Sequence, residues 1–165
     1  MWSSNRRTFL LGALAAPALA ACGFTPAYGP KGGGAKLLSG VEVDAPQTTD
    51  DFAYVRRISE RLNPATSPRY RLSYTITTDV MDQAISRDDV TNRYSLNGTA
   101  TYRLYNTASN AVLLTGRVAS FTSWSATGTI VATQTAERDA HKRLMTILAD
   151  QTVTRLLAQA GSLPE

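Results

Sequence analysis

Few residues in this sequence could perform catalysis or hold a metal ion. Cys22 and His141 are the only cysteine and the only histidine in 165 residues, so the chain cannot supply the ligand cluster that zinc or iron needs. Neither a Gly-x-Ser-x-Gly nucleophile elbow nor a glycine-rich phosphate loop occurs in the sequence. We therefore predict a protein that uses no metal and no cofactor, and we interpret His141 as a solvent-facing helix residue.

Asp88 and Asp89 are the remaining candidates for acid–base chemistry, because paired carboxylates carry out reactions such as glycoside hydrolysis. They are adjacent in a segment that also contains Ser, Thr and Asn, and carboxylates in such a segment usually keep a turn solvated. The sequence therefore predicts that the protein is not an enzyme.

Cys22 lies directly after a segment that is typical of an export signal. Two arginines precede an apolar run over residues 8–21, and this run is too short to cross about 30 Å of hydrocarbon as a permanent helix. Its end gives the order Leu19-Ala20-Ala21-Cys22, which resembles the lipobox of bacterial lipoproteins. We predict a signal peptide over residues 1–21, cleavage before Cys22 and attachment of lipid such as palmitate to that cysteine. The alternative is a lone buried cysteine.

Two export routes are compatible with this signal. The order Arg6-Arg7-Thr8-Phe9-Leu10 resembles the twin-arginine export signal. Two arginines also occur in the charged region of signals for the general secretory route. The sequence leaves both routes open.

The composition changes twice after the predicted cleavage site. Residues 22–36 are rich in Gly and Pro, which disfavour both helices and central strands, so we predict a flexible tether. Residues 37–165 are enough for a single domain with one core. Since the signal peptide removes two of 17 Lys and Arg residues, 15 remain against 13 Asp and Glu. This near balance does not indicate a nucleic-acid-binding protein.

The first part of the domain predicts a strand followed by a helix. A short apolar alternation over residues 38–43 predicts the strand. Thr49, Asp50 and Asp51 offer capping oxygens and negative charge at a helix start, and apolar residues then recur at three- and four-residue spacing. We predict a helix of about twelve residues that ends before Pro64, because a residue preceding proline is displaced from helical geometry.

Three long strands follow, in which apolar and polar residues alternate. Turn-forming residues separate them at 86–89 and at 106–110, which predicts an antiparallel meander. One face is rich in Thr, Ser and Arg, and we expect it to meet water or another polar surface. The residues predicted to face the core are Tyr70, Leu72, Tyr74, Ile76, Tyr94, Leu96, Gly98, Ala100, Tyr102, Leu104, Val112, Leu114, Gly116 and Val118.

The last predicted element is a helix that runs from about Gln134 to Ala160, a stretch without Gly or Pro that carries a wide apolar stripe. The order strand, helix, three antiparallel strands, helix predicts an α+β fold. We expect a two-layer sandwich in which both helices pack on one face of a small sheet.

The arginines of the strands are the residues most indicative of ligand binding. Arg71, Arg103 and Arg117 fall on the polar face of the predicted sheet, while Arg87 and Arg93 flank the first hairpin loop. Because a guanidinium group pairs with phosphate through two hydrogen bonds, this set indicates a surface for a phosphorylated ligand. The alternative is a solvated strand face whose arginine stems cover apolar neighbours. The residues alone leave both interpretations open.

Several of these features occur together in one known family. The lipobox, the sequence Cys22-Gly23-Phe24, the Gly/Pro tether and the order of elements resemble the LPS-assembly lipoprotein family, LptE. This resemblance implies a non-catalytic lipoprotein that plugs the outer-membrane barrel LptD, assists its assembly and helps to deliver lipopolysaccharide to the outer leaflet. Gly23 is similar to the residue after the acylated cysteine in lipoproteins sorted to the outer membrane, which implies an anchor on its periplasmic side. The alternative is an auxiliary lipoprotein of another envelope lipid-transport complex, without a barrel partner.

The same resemblance implies contacts with lipopolysaccharide near the tip of the first long hairpin and near the start of the last helix. Arg87 and Arg93 match the first location. At the second location residues 134–135 are Gln and Thr instead of basic residues, and Arg138 and Lys142 follow about a turn later. The residues expected to contact lipopolysaccharide are therefore Arg87, Arg93 and Arg138.

Overall fold

The part of the chain that the structure describes contains four strands: β1 (Val41–Val43), β2 (Tyr70–Ile85), β3 (Thr91–Asn106) and β4 (Val112–Ser125). They form one sheet in the spatial order β1-β2-β3-β4. β1 is parallel to β2, whereas the β2–β3 and β3–β4 pairs are antiparallel. The three long strands confirm the predicted antiparallel meander.

The computed structural model describes residues 29, 33–85, 91–126 and 128–164. The predicted signal peptide, the lipidation site Cys22 and the predicted contact residue Arg87 lie outside these residues. Of the predicted tether, the described part includes the start of a single helical turn at Gly34–Leu37, in which Gly34 and Leu37 are buried.

Helix α1 (Thr49–Leu62) begins at a capping box one residue before the predicted start. The hydroxyl of Thr48 accepts a hydrogen bond from the backbone N–H of Asp51 at 3.1 Å, and the Asp51 carboxylate accepts one from the N–H of Thr48 at 3.0 Å. This reciprocal pair satisfies two backbone donors at the helix N-terminus. The helix ends before Pro64, as predicted, and Asn63 takes a positive φ of 61°.

Helix α2 (Ile130–Gln159) has 30 residues and begins four residues before the predicted Gln134. Thr129 caps it, since its hydroxyl accepts a hydrogen bond from the N–H of Ala132 at 3.3 Å. The first turn extends into solvent, where Ile130 and Val131 are 79% and 73% exposed. The apolar stripe that predicts the helix does not extend into this turn, because the apolar residues of the turn face solvent and not the core.

The core lies between the sheet and the two helices, which pack on the same face, so the predicted α+β sandwich is confirmed. α2 packs closely over Gly98, because a Cβ there would lie 2.7 Å from Cδ2 of Leu144. Fully buried side chains come from all three parts of the sandwich: Tyr70, Leu72, Leu96 and Leu104 from the strands, Tyr54 and Ile58 from α1, and Leu144, Leu148, Val153 and Leu156 from α2.

The prediction that Val112 faces the core is wrong. A register shift follows the Leu104–Leu114 pair, so that Tyr105 pairs with Val112 and Leu113 is the extra residue of a β-bulge. Val112 is therefore 51% exposed, while Leu113 packs against the core. The predicted strand over residues 38–43 is also too long, because residues 38–40 form a turn and only Val41–Val43 pairs with β2.

The two ends of the sandwich differ in what they contain. At one end the chain enters the domain, and Gly33 packs against the backbone of Ala160 so closely that no side chain would fit. Lys36 Nζ donates a hydrogen bond to the carbonyl of Leu163 at 2.8 Å at this end. We call it the tether end. The opposite end, which we call the far end, holds the finish of β2, the start of β3 and the first turn of α2.

Candidate functional site

The face of the sheet that points away from both helices is polar, as predicted, and we call it the open face. Strand register places Thr75, Thr101 and Arg117 in one row across it, and Thr77 and Thr99 in the next. Most of these side chains are exposed. The open face therefore offers a regular array of hydroxyl and guanidinium groups. Its main polar side chains are Arg71, Ser73, Thr75, Thr77, Asp79, Asn97, Thr99, Thr101, Arg103, Thr115 and Arg117.

The arginines of the open face differ in how strongly they are held. Arg71 donates to Asp44 and to Asn110, each at 3.3 Å, and its guanidinium lies 4.7 Å from the ring centroid of Tyr105. Such contacts fix its orientation at the tether end. Among the described residues, the guanidinium of Arg117 has a single side-chain hydrogen bond, a long one to the hydroxyl of Thr99 at 3.5 Å. This weakly held guanidinium is free to bind a ligand.

The predicted contact residues lie on two different layers of the sandwich. Arg93 is exposed on the open face near the far end and donates to the hydroxyl of Ser123 at 3.4 Å. Arg138 is exposed on α2, on the helix side of the sheet. The structure therefore places both near the far end but separates them by the sheet. A ligand that contacts both must reach around the end of the sheet.

Arg138 lines an open cleft of about 1450 Å³, which sequence analysis did not anticipate. The cleft lies where β2 continues past the N-terminus of α1, and α2 forms its other wall. Tyr74, Ile76 and Thr78 contribute from β2, and Lys142 lies one turn after Arg138 on α2. Only long-range packing brings these elements together, so no local sequence pattern marks the cleft.

The interpretation of His141 as a solvent-facing residue is wrong. Its Nδ1 lies 2.8 Å from Oδ2 of Asp50, and only 27% of its side chain is exposed. The contact joins the first turn of α1 to α2 at the wall of the cleft. An acidic residue in the first turn of a helix is favourable by itself, so the sequence pattern does not predict this second role for Asp50.

Tyr74 forms part of the cleft floor and remains a neutral phenol at physiological pH. Burial, together with the smaller effect of the negative charges of Asp51 and Asp44, raises the pKa of Tyr74 to about 12. Its ring packs against Tyr54 with 5.1 Å between the centroids. The cleft floor therefore combines an apolar surface with a hydroxyl group.

Neither a metal site nor a membrane-spanning helix is found among the residues that the structure describes. No three His, Cys, Asp or Glu side chains in the described ranges lie close enough to hold a metal ion. No helix in the same ranges is both long enough and apolar enough to cross a membrane.

Comparison with known proteins supplies the family. Residues 36–156 match the family model LptE, described as Lipopolysaccharide-assembly. No curated protein matches the sequence significantly.

Solved structures share the fold at low sequence identity. A protein from Caulobacter crescentus CB15 aligns with a TM-score of 0.66 at 19% identity, over 81% of this chain and 98% of its own. The rare lipoprotein B from Shewanella oneidensis aligns with a TM-score of 0.56 at 12% identity, over 73% and 92%. A minor lipoprotein from Acinetobacter baumannii gives 0.52 at 15% identity, over 73% and 90%.

Proposed function

The chain belongs to the LptE family of lipopolysaccharide-assembly proteins, and from this membership we propose that it is an outer-membrane lipoprotein that plugs an LptD-type barrel. In this role it helps the barrel to assemble and assists the transport of lipopolysaccharide to the outer leaflet. The protein acts by binding alone, without catalysis and without a cofactor.

The open face is the observation that carries this proposal. It runs the length of three strands and presents threonine hydroxyls and arginine guanidinium groups, and neither helix covers it. The interior of a transmembrane barrel is polar, so a plug must meet it with side chains that can donate and accept hydrogen bonds. An apolar face of this size would instead favour burial against a hydrophobic partner.

The position of the tether supports an orientation for the domain. Lipid on Cys22 holds the membrane end of the tether, and the chain joins the domain at Gly33. Gly33 is eleven residues after Cys22, and a fully extended chain of this length spans at most about 40 Å. A strand of sixteen residues extends over roughly 50 Å, so the far end lies well beyond the point of attachment. Arg93 and Arg138 therefore lie at the end of the domain that is distant from the anchor and, in the proposed role, points toward the interior of the barrel.

Contact with lipopolysaccharide is proposed for Arg87, Arg93 and Arg138. Lipopolysaccharide carries phosphate groups, and a guanidinium fork binds phosphate through two hydrogen bonds. Arg93 and Arg138 are exposed near the same end of the domain, which makes their guanidinium groups accessible to a ligand of that size. Arg87 belongs to the connection between β2 and β3.

Photo-crosslinking in intact cells tests the proposed contact with the barrel. A benzoylphenylalanine residue at Thr101, in the middle of the open face, is expected to form an adduct with a β-barrel outer-membrane protein. The same residue at Ala108, in the turn at the tether end, serves as a control for random labelling and should form little of this adduct. Absence of a barrel adduct at Thr101, or an equal yield at both positions, would contradict the proposed use of the open face.

A further inference from the structure

The two edges of the sheet differ in how much of each is covered by other parts of the chain. At the β4 edge, Arg155 Nη1 donates to the carbonyl of Arg117 at 2.8 Å, and Arg143 Nη2 donates to the carbonyl of Ser123 at 3.3 Å. The two arginines are twelve residues apart on α2, about 18 Å along the helix. Their carbonyl partners are six residues apart on β4, about 20 Å along the strand. The helix therefore covers this edge from Arg117 to Ser123.

The β2 edge is covered only at its beginning. β1 pairs with β2 from Tyr70 to Leu72, and the N–H of Asp44 donates to the carbonyl of Leu72 at 2.9 Å. Past this bond, no backbone partner for that edge is found among the described residues. Because hydrogen-bonding direction alternates along a strand, the unpaired N–H and C=O groups belong to every second residue, namely Tyr74, Ile76, Thr78 and Val80.

We propose that the open edge of β2, from Tyr74 to Asp82, binds an extended segment of another protein as an added strand. Unpaired backbone groups in a row form a template for this type of pairing. Proteins usually protect such edges, and α2 protects the edge of β4 here. The inference goes beyond the plug function, since it rests on the strand edge and not on the open face.

The side chains along this edge define what the added strand should look like. Ile76 and Val80 point to the same side of β2 as the cleft, with Thr78 between them; Val80 is 47% exposed, and Phe52 of α1 is 62% exposed at the cleft. These residues favour apolar side chains at every second position of the partner. The only charged residues of the edge, Asp79 and Asp82, form no ion pair within the described part of the chain. They favour Lys or Arg opposite them.

The negative charges along the β2 edge also disfavour a second copy of this chain as the binding partner at this edge. Two β2 edges paired antiparallel with their helices on the same side would overlap around Asp79. Asp79 of one chain would then lie opposite Asp79 of the other, where like charges destabilise a cross-strand pair, and Asp82 would fall opposite the apolar Ile76 instead of a basic residue. The occupant that fits is therefore a basic, alternating strand from a different protein.

Binding of designed peptides to the full chain, purified in mild detergent, tests this proposal by fluorescence anisotropy. The probe is a labelled eleven-residue peptide of alternating Val and Thr with two lysines three positions apart, which matches the spacing of Asp79 and Asp82. We expect it to bind at least tenfold more tightly than the same peptide with glutamates. Asp79→Lys combined with Asp82→Lys should reverse this preference.

Two further comparisons distinguish strand addition from simple charge attraction. Two further peptides carry N-methyl groups on alternate amides, one on the odd-numbered residues and the other on the even-numbered residues. Only one of these two sets of amides can face β2, so one peptide should lose binding and the other should keep it. Thr78→Pro removes a donor that faces the open edge and leaves the β3 ladder intact, so it should weaken binding at least tenfold without lowering the melting temperature substantially. The matched control is Ala119→Pro, which removes an outward donor on β4 and should leave binding unchanged.

Several results would overturn the proposal. These are failure of the lysine peptide to bind, equal binding by the wild type and Thr78→Pro, and equal binding of the two N-methylated peptides. Sedimentation analysis adds a fourth: a wild-type dimer that Thr78→Pro dissociates would show that the occupant is a second copy of this chain.

Discussion

The hydroxyl of Tyr54 on α1 lies 2.8 Å from the hydroxyl of Thr152 on α2, in the buried seam between the two helices. Thr152 itself donates to the carbonyl of Leu148 at 2.9 Å, so Tyr54 is the donor in the first bond. Burial raises the pKa of Tyr54 well above its ordinary value, against the opposing effect of the hydrogen bond with Thr152. The phenol therefore stays neutral and must have a hydrogen-bond partner.

This bond predicts how two substitutions combine. Thr152→Val leaves the Tyr54 hydroxyl buried without an acceptor and should lower the free energy of unfolding by about 2 kcal/mol. Tyr54→Phe removes the donor while Thr152 keeps its bond to Leu148, and should cost about 1 kcal/mol. Because Tyr54→Phe also removes the orphaned hydroxyl, the double variant should be more stable than the sum of the two costs predicts. Denaturant titration of all four proteins measures this, and strictly additive costs would disprove the coupling.

A second contact between the helices should make stability depend on pH. Asp150 accepts hydrogen bonds from Arg57 at 3.0 Å and from Arg61 at 2.7 Å. Burial alone would raise the pKa of Asp150, but the hydrogen bonds and charges of the two arginines outweigh it and lower the pKa below the ordinary value. A carboxylate with a depressed folded-state pKa stabilises the fold at a pH above its unfolded pKa, and this stability is lost as the pH falls through the folded pKa.

Asp150→Asn should therefore reduce the free energy of unfolding at pH 7 by about 1 kcal/mol, a modest amount because water screens a pair that is one-third exposed. The difference from wild type should shrink below a pH of about 4, where the unfolded carboxylate becomes protonated. Urea titrations at pH 7 and pH 3 compare the two proteins. A difference that stays constant or grows toward low pH would be incompatible with the proposed ion pair.

Features of this fold that depend on neighbouring residues follow from the sequence, whereas features that depend on distant residues do not. The strand alternation around Tyr102 and the start of α1 near Thr49 follow from local periodicity and capping, and both are confirmed. Alternation misplaces Val112 because the β-bulge lies in the apolar run over residues 112–114, where the side-chain types do not show which residue is the extra one. The partnership of His141 with Asp50 joins residues that are far apart in the chain, and no periodicity encodes such a pair.

The same limit applies to the candidate site. Alternate residues of a strand point to the same face of the sheet. The sequence therefore predicts that Arg71 and Arg117 both lie on the open face. The cleft was not, because it exists only where α1 begins too late to cover the end of β2. The placement of Arg93 and Arg138 on opposite sides of the sheet likewise depends on how α2 packs.

The lipid anchor is predicted on Cys22 alone. Mass spectrometry of the mature protein should find an N-terminal peptide that begins at Cys22 and carries several acyl chains, since a single chain anchors only marginally. Cys22→Ser should leave an uncleaved or soluble form. An unmodified amine at any other residue as the mature N-terminus would refute the cleavage site and the anchor.

Arg87 is the first residue to test for contact with lipopolysaccharide. Arg87→Asp should weaken binding of purified lipopolysaccharide more than Arg87→Lys does, because aspartate reverses the charge while lysine loses only the guanidinium fork. Stability should change by less than about 0.5 kcal/mol in either variant. Arg69→Asp, the same charge change at an exposed position of the tether end, is the control. Unchanged binding by Arg87→Asp at low salt, where charges are least screened, would remove Arg87 from the site.

The central claim is that this protein works as the plug of an outer-membrane barrel, and the composition of the complex it forms in the cell tests that claim most directly. The native chain, extracted with mild detergent and purified through a C-terminal affinity tag, can be weighed by native mass spectrometry. The proposal predicts one copy of the chain with one copy of a β-barrel protein of the LptD type. Recovery of the chain alone, or within an envelope lipid-transport complex that contains no barrel, would contradict it.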